Sequence, residues 1–595
     1  MSEPIITSAA TENIEIFQRR FAQTAVRPRR PATVNPRHDE DRAPTKGYLS
    51  PRELRTVEKF AEVFIAGREE VLSPAEVANN IDRQLGRIES QRKRSVRLVL
   101  FLLEYLLPLL AFRRPFSKMS AESRKQFIEA NLVHPATATK PSIFAWYHKL
   151  RERTLRDLSR VKFLFLAGYY SDARVYDSVN FTPVPERPRF REEKFQPLGR
   201  KRLEIYEPAS DEIAAEICVI GSGAAGAVIA CNAASAGKDV VLLEEGGYFN
   251  SAAMKHDEGE MTAMLYKEGG LLSTADLDMN ILQGKCLGGS TVINNAICFR
   301  LPGLNAGESG DSALLEQWRK LGAQIQKYEL QKAYARVERM INVQALQRDL
   351  ASKNADLLLD GWQKLVEQGH VGKEFERGLF KKNFDRCLGC GYCNFGCPYE
   401  RKLSMLETYI PAAIEQGARV VTDCHAVKIV TQGREAIGVQ CEQRDGRKLF
   451  VRAQKIVLSC GAIGSSVLLM KSGVQRNVGQ RLSFNAATPM LAKFSQPLNG
   501  FDGVQMGSYV DLNEFMLETV FYPPMGFAAM MPGWFEAHFE RMRAYDRFAC
   551  AIVLLGTTAN ARVKRSAFLR NVLGPVDYKM TASDFEKMKQ GMVLL

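Results

Sequence analysis

The order of apolar and polar positions divides the chain into successive stretches of different character. Residues 1–46 are polar, carry proline and arginine and show no period, which predicts a disordered tail. Over 47–180 apolar positions recur with helical spacing and strand signals are few. Two helix starts there share one chemistry. Ser50-Pro51-Arg52-Glu53 and Ser73-Pro74-Ala75-Glu76 each put serine at the N-cap, proline at the first helical position and glutamate at the third. The proline-rich FTPVPERPRF (Phe181–Phe190) then predicts a linker arm over 181–210. From 211 glycine rises and β-branched strands alternate with helical segments, the pattern of an α/β layer. Between about 483 and 560 the chain turns rich in Met, Phe and Tyr (FMLETVFYPPMGFAAMMPGWF), residues that fill a core or line an apolar pocket.

One apolar run raises the question of a membrane. RLVLFLLEYLLPLLAFRR (Arg97–Arg114) falls short of the roughly 20 apolar residues a spanning helix needs and carries Glu104 and Pro108. It predicts a buried or interfacial helix. The flanking Arg92, Arg94, Arg97, Arg113 and Arg114 suit a lipid surface and a helix bundle equally.

At 595 residues with 46% hydrophobic and 25% charged positions, the chain has material for several cores. The formal charge of +14 gathers in part in RRPATVNPR, QRKRSVR and FRRPFSK. No recognition helix, zinc finger or RNP-like pattern accompanies it, so nucleic acid is not an expected partner. A solvated basic surface is the first reading, and peripheral contact with an anionic membrane the second. MSEPIITSAATENIEIF lacks the basic and apolar regions of a secretory signal, so the expected location is cytoplasmic, with peripheral membrane contact as the variant.

The segment EICVIGSGAAGAVIACNAASAGKDVVLLEEGG carries a complete βαβ unit: a strand at Ile217–Ile220, a glycine turn, an Ala-rich helix and a strand at Val240–Leu243 that ends on Glu244. Gly221 permits the tight turn, Gly223 lets backbone approach a pyrophosphate, and Gly226 lets helix and strand pack closely, with Ala225 between them. The helix start favours the pyrophosphate charge and Glu244 accepts from ribose hydroxyls, which disfavours a 2′-phosphate. Further on, GKCLGGSTVINNAICFR brings Gly284, Gly288, Gly289, Ser290, Thr291 and Asn294 into a flexible, donor-rich loop suited to lie against a flavin.

Of 12 cysteines, four cluster in RCLGCGYCNFGCPYER as C-x2-C-x2-C-x3-C followed by proline. Without an export signal, such a cluster points to metal rather than disulfides. For Cys387, Cys390, Cys393 and Cys397 an iron–sulfur cluster is the leading reading, because one loop reaches three corners of a cubane and Gly389, Gly391 and Gly396 free N–H groups to face sulfides. Zinc prefers two separated C-x2-C pairs, and a second pair is absent. A cysteine-rich loop with a structural role is the third reading. In two-cluster ferredoxins the fourth cysteine of such a run serves the other cluster. Here Cys397 must fold back for a 4Fe-4S site, or a distant thiol completes it, or the centre is 3Fe-4S.

The loop at Gly284 and the segment GAIGSSVLLMKSG (Gly461–Gly473) resemble the two signatures of the glucose–methanol–choline (GMC) flavin oxidoreductases, in order after the glycine turn. The resemblance implies an α/β fold: a Rossmann-like FAD-binding domain (211–482, with the cysteine-rich insertion at 380–402) interleaved with a substrate domain (483–595), preceded by a helical N-terminal domain. It implies FAD as cofactor, with the glycine turn and Glu244 on the ADP half. Gly284 and Gly288–Asn294 would face the pyrophosphate and the isoalloxazine ring, and Val427 would make an adenine-side backbone contact. The implied reaction is oxidation of the CH–OH group of an alcohol by hydride transfer to flavin. The helical N-terminal region, the run near residue 100 and the cysteines together resemble the long-chain alcohol oxidase branch.

The family's catalytic histidine motif is not found. His38, His134, His148, His256, His370, His425 and His538 all lack its context. The end of the chain, where Ser583-Asp584-Phe585-Glu586 reads as a capping box opening a helix that runs to Leu595, resembles the part of the family that precedes that motif. The catalytic residues are therefore unknown and expected beyond Leu595, the substrate domain is expected to be partial, and this chain is expected to be inactive alone. Three function readings stand: an alcohol dehydrogenase relaying electrons through the cluster to an acceptor protein or quinone, an oxygen-reducing oxidase with structural cysteines, and a non-catalytic flavoprotein.

Overall fold

The computed structural model describes residues 47–88, 93–111, 113–133, 162–187, 190, 196–276, 278–305, 312–474, 476–566 and 574–595. The expected tail over 1–46, Arg92, His38, His134 and His148 lie outside them.

Both serine-led starts form as the sequence predicts. Ser50 caps helix α1 (Pro51–Phe64) and Ser73 caps α2 (Pro74–Arg87), each in a reciprocal capping box with the glutamate three residues on. Their apolar faces meet in an aromatic core in which Phe60 stacks on Phe165 at 4.2 Å. That core continues into residues 535–542, where Phe64 meets Phe539 edge-on at 5.6 Å and Arg68 pairs with Glu536 at 2.5 Å.

The apolar run forms Lys93–Phe101, a wider-pitched turn over Leu102–Leu106, and Leu107–Leu110. Its faces divide. Val96, Leu100, Leu103 and Leu107 are buried, whereas Leu98 (51%), Phe101 (55%), Tyr105 (42%) and Leu109 (68%) face solvent. Glu104, the charge inside the run, is buried on the inner face and accepts from Thr56 Oγ1 (3.0 Å) and from the Ser117 N–H (3.0 Å) and hydroxyl (2.7 Å). No helix among the described residues is long and apolar enough to cross a membrane.

The rest of the chain runs β1 (Glu212–Ile220), α3 (Ala224–Ser235), β2 (Val240–Leu243), α4 (Lys353–Glu367), β3 (Arg377–Leu379), α5 (Tyr409–Glu415), β4 (Arg419–Val421), β5 (Cys424–Gln432), β6 (Glu435–Gln443), β7 (Lys448–Leu458), α6 (Gly461–Lys471), β8 (Asn485–Lys493), β9 (Ser508–Asp511), β10 (Met516–Thr519), β11 (Phe548–Gly556) and α7 (Ala582–Leu594). One sheet has the order β4-β2-β1-β7-β6-β5, parallel through its first four strands and antiparallel through the last pairs. β1 and β2 read as apolar runs because both faces are covered. Val219, Val240 and Leu242 pack into the core that contains Ala227 and Ala230 of α3, while Cys218, Ile220, Val241 and Leu243 pack into the core that contains Leu468 of α6. Ile220 is in register with Leu243 and with Leu458, so three strands end at one level.

The second sheet, β8-β11-β10-β9-β3, is antiparallel and draws β3 from within the segment predicted for the flavin domain. Trp362 of α4 and Met588 of α7 pack into its core. The Met- and Phe-rich stretch is core: Phe521 stacks on Phe527 at 4.8 Å, which meets Tyr545 edge-on at 4.9 Å.

The structure corrects the start of α7. Its cap is Thr581, not Ser583, and the Thr581 hydroxyl accepts from the Asp584 N–H at 3.1 Å. The Asp584 carboxylate, in turn, is taken by the N–H and hydroxyl of Thr558, both at 3.0 Å. A distant partner shifts the helix start by two residues.

Candidate functional site

The three level strand ends open into a cleft of about 1040 Å³, at the upper end of the 300–1,000 Å³ typical of ligand sites. Its position, outside the carboxyl ends of parallel strands where β1 is flanked by connections leaving in opposite directions, is where open α/β sheets bind ligands. Gly221, Gly223 and Ala225 line it from the turn after β1, and Glu244 from the end of β2. Gly284, Gly289, Ser290 and Asn294 line it from the donor-rich loop. Two sequence-predicted positions stand behind these. Gly226 packs under the turn, where an added Cβ would meet the Gly221 carbonyl at 1.8 Å, and Gly288 gives its N–H to Ser222. Val427 sits at a bulge between β5 and β6, and on its strand Cys424, His425 and Ala426 line the cleft.

The loops are fastened to one another by hydrogen bonds. Ser222 donates its hydroxyl to Glu244 Oε2 (2.6 Å) and accepts from the Gly288 N–H (3.0 Å). Glu244 also accepts from the N–H groups of Ser222 (3.0 Å) and Gly246 (2.9 Å). Burial outweighs these donors and raises the Glu244 carboxyl. Within the donor-rich loop, Ser290 Oγ accepts from the Gly284 N–H at 3.0 Å, and Thr291 Oγ1 joins the Gly288 carbonyl (2.7 Å) to the Met405 N–H (3.0 Å). An added Cβ on Gly289 would stand 2.9 Å from the Gly223 Cα, so the two backbones touch where each lacks a side chain.

Several cleft residues escaped the sequence reading. Ser222 lies inside the glycine motif, where its hydroxyl was the available signal. Glu245 pairs with Lys267 Nζ at 2.5 Å and with His425 Nδ1 at 3.1 Å. Burial alone would raise the Glu245 carboxyl, but these partners hold it well below the usual range. Ser459 and Cys460 reach the cleft from the end of β7. Nothing in the pattern around Lys267 or His425 marks them. The other buried histidines stand apart: burial holds His256 down to about 4 and His538 down to about 3, so both are neutral.

The cysteine run lies beside this cleft. Cys387, Cys390, Cys393 and Cys397 all line one small cavity of about 30 Å³, with Lys382 and Lys402 in its wall. Burial raises these thiols, Cys387 to about 12. Among the described residues no group of three or more His, Cys, Asp or Glu side chains is arranged to hold a metal ion, and all 12 cysteines are free.

Comparison with known proteins places these features. Residues 262–486 match the GMC oxidoreductase family and residues 216–277 match an FAD binding domain. An uncharacterized GMC-type oxidoreductase y4nJ of Sinorhizobium fredii is 32% identical over 296 residues, 48% of this chain and 55% of that protein. An uncharacterized GMC-type oxidoreductase of Mycobacterium tuberculosis is 27% identical over 343 residues, covering 56% and 51%. The long-chain-alcohol oxidase FAO1 of Arabidopsis thaliana is 22% identical over 548 residues, covering 81% and 66%. The chain thus spans about half to two thirds of the length of these curated relatives.

Proposed function

The chain belongs to the GMC oxidoreductases, and from that premise we propose that it binds FAD in the cleft and serves in oxidising the CH–OH group of an apolar, long-chain alcohol. The observation that carries this is the convergence of three separated motifs on one cleft: the turn at Gly221–Gly226, the loop at Gly284–Asn294 and the segment at Ser459–Gly464. FAD, when bound, supplies the hydride acceptor.

The residues present fit that cofactor. The turn leaves backbone exposed at Gly223 beside the start of α3, whose positive end favours a pyrophosphate. Glu244 is held at the rim by Ser222, oriented to accept from ribose hydroxyls. The Ser290 and Asn294 side chains, in the cleft wall, are assigned to the isoalloxazine side. The alcohol class rests on the similarity to the long-chain-alcohol oxidases.

The test is flavin content of the purified chain, followed by anaerobic addition of a long-chain alcohol. Stoichiometric FAD that bleaches with alcohol supports the reading, and bound FAD that no alcohol bleaches overturns the substrate. The oxygen-reducing alternative predicts rapid recolouring in air with peroxide formed in equal amount.

As the chain's further partner we propose an anionic lipid surface. Leu98, Phe101, Tyr105 and Leu109 form an exposed apolar stripe, and Arg97, Arg113 and Arg114 flank it in an exposed or half-buried setting. Apolar insertion with arginine at the headgroups is the arrangement of an interfacial helix.

A further inference from the structure

The run RCLGCGYCNFGCPYER left one question that the sequence cannot answer: whether Cys397 turns back to join the other three thiols. It does. All four line the same cavity. Backbone N–H groups point at the sulfurs: Gly389 to Cys387 Sγ, and Arg401 and Lys402 to Cys397 Sγ, each at 3.4 Å. Such N–H···S contacts accompany thiolates that bind iron–sulfur clusters. Two buried cations, Lys382 and Lys402, stand in the wall and offset the negative charge that four thiolates bring. A mononuclear zinc, with Zn–S about 2.3 Å, requires the four sulfurs drawn to one point, and they are not so drawn here. A sulfide-bridged cluster gives each thiolate its own iron and tolerates sulfurs set apart.

The cavity is also tied directly to the flavin loop. Lys402 Nζ donates to the carbonyls of Val292 (2.5 Å), Asn294 (2.9 Å) and Cys393 (2.6 Å). Asn394 Nδ2 donates to the Ile293 carbonyl at 2.9 Å, and Tyr266 fixes the Asn394 carbonyl at 2.8 Å. Residues 292–294 are thus bonded to the cysteine loop on one side and border the FAD cleft on the other.

We propose that Cys387, Cys390, Cys393 and Cys397 are the four ligands of a [4Fe–4S] cluster adjoining the flavin loop. The site stands on its own geometry, while its part in turnover rests on the alcohol–flavin reading above. In that part, the two electrons that reduced flavin holds leave one at a time through the cluster to an external one-electron acceptor, a quinone or a haem protein. Two protons leave with them, so each alcohol oxidised delivers two electrons to the acceptor.

The experiment is anaerobic purification of the full chain and reconstitution with ferrous iron and sulfide, with iron, acid-labile sulfide and FAD measured on one sample. The expected result is about four irons and four sulfides per chain, a broad visible shoulder beside the flavin bands, and an EPR signal on reduction with dithionite. Cys390→Ser and Cys397→Ser are each expected to lose the four-iron signal while FAD content stays. Chain that binds FAD yet takes up no acid-labile sulfide, or takes up zinc in its place, overturns the proposal. So does a Cys397→Ser variant with the complete four-iron signal. Flavin bleached by alcohol in cluster-free chain sinks the cluster alone. A reducible cluster beside flavin that no alcohol bleaches sinks the alcohol reading alone.

Discussion

Ser222 gives its hydroxyl proton to Glu244 at 2.6 Å and receives the Gly288 N–H at 3.0 Å, so one small side chain joins three loops of the cleft. Ser222→Ala removes the donor to a buried carboxylate and leaves the Gly288 N–H without a partner. The expected cost is about 1–3 kcal/mol of stability, with FAD affinity down about tenfold for each 1.4 kcal/mol expressed in binding. Thermal unfolding and a flavin titration of the variant check both.

Gly226 offers a steric test of the same turn. Its added Cβ would fall 1.8 Å from the Gly221 carbonyl oxygen, a backbone atom that cannot rotate away. Gly226→Ala is expected to cost about 1–3 kcal/mol as overpacking and to weaken FAD binding more than it lowers the unfolding midpoint, since the displaced group is the cofactor loop itself. Gly361→Ala, at a position where an added Cβ meets nothing within 4 Å, is the control.

Lys402 is buried and donates to three carbonyls across two loops. Lys402→Met keeps the stem and deletes the donor, leaving three carbonyls to find other partners at about 1–3 kcal/mol for each one left unsatisfied. Urea denaturation is expected to show the loss. Hydrogen exchange is expected to rise in residues 292–294 and 393–397 together, because the lysine is what couples them.

Glu258 makes the fold sensitive to pH. It is buried and accepts the N–H groups of Met525 (2.7 Å) and Gly526 (2.9 Å), yet burial raises its carboxyl to about 8. A raised folded-state pKa means the native chain binds the proton more tightly than the unfolded chain does. The contribution is complete below the unfolded value of 4.5 and is lost as pH rises toward about 8, at about 1.4 kcal/mol per pH unit. Thermal midpoints across that window are expected to fall for the native sequence and to flatten for Glu258→Gln.

The exposed stripe predicts lipid binding that depends on charge. The chain is expected to sediment with phosphatidylserine-containing vesicles and not with phosphatidylcholine alone, and to be released by salt. A Phe101→Ser, Leu109→Ser double variant, altered at positions 55% and 68% exposed, is expected to stay in the supernatant with unchanged flavin content.

What the sequence determined by itself is local. The glycine turn, its flanking apolar strands and the acid that closes the unit sit within about thirty residues, and they fold as written, with β1 reaching back to Glu212. The capping boxes at Ser50 and Ser73 are equally local and form as read. The tertiary structure decided everything that joins distant segments. The register of Ile220 with both Leu243 and Leu458 brings Ser459 beside the glycine turn. Lys402 binds Asn294 across 108 positions, and Thr558 claims Asp584 across 26, which moves the α7 cap to Thr581. Cys397 turns toward the other three thiols, and one face of the 93–110 helix is left to solvent. A period of 3.6 or 2 records which residues want burial, but not which partner buries them. Partners so far apart leave no periodic trace, so the packing of the sheets, rather than the pattern, sets which loops share the cleft.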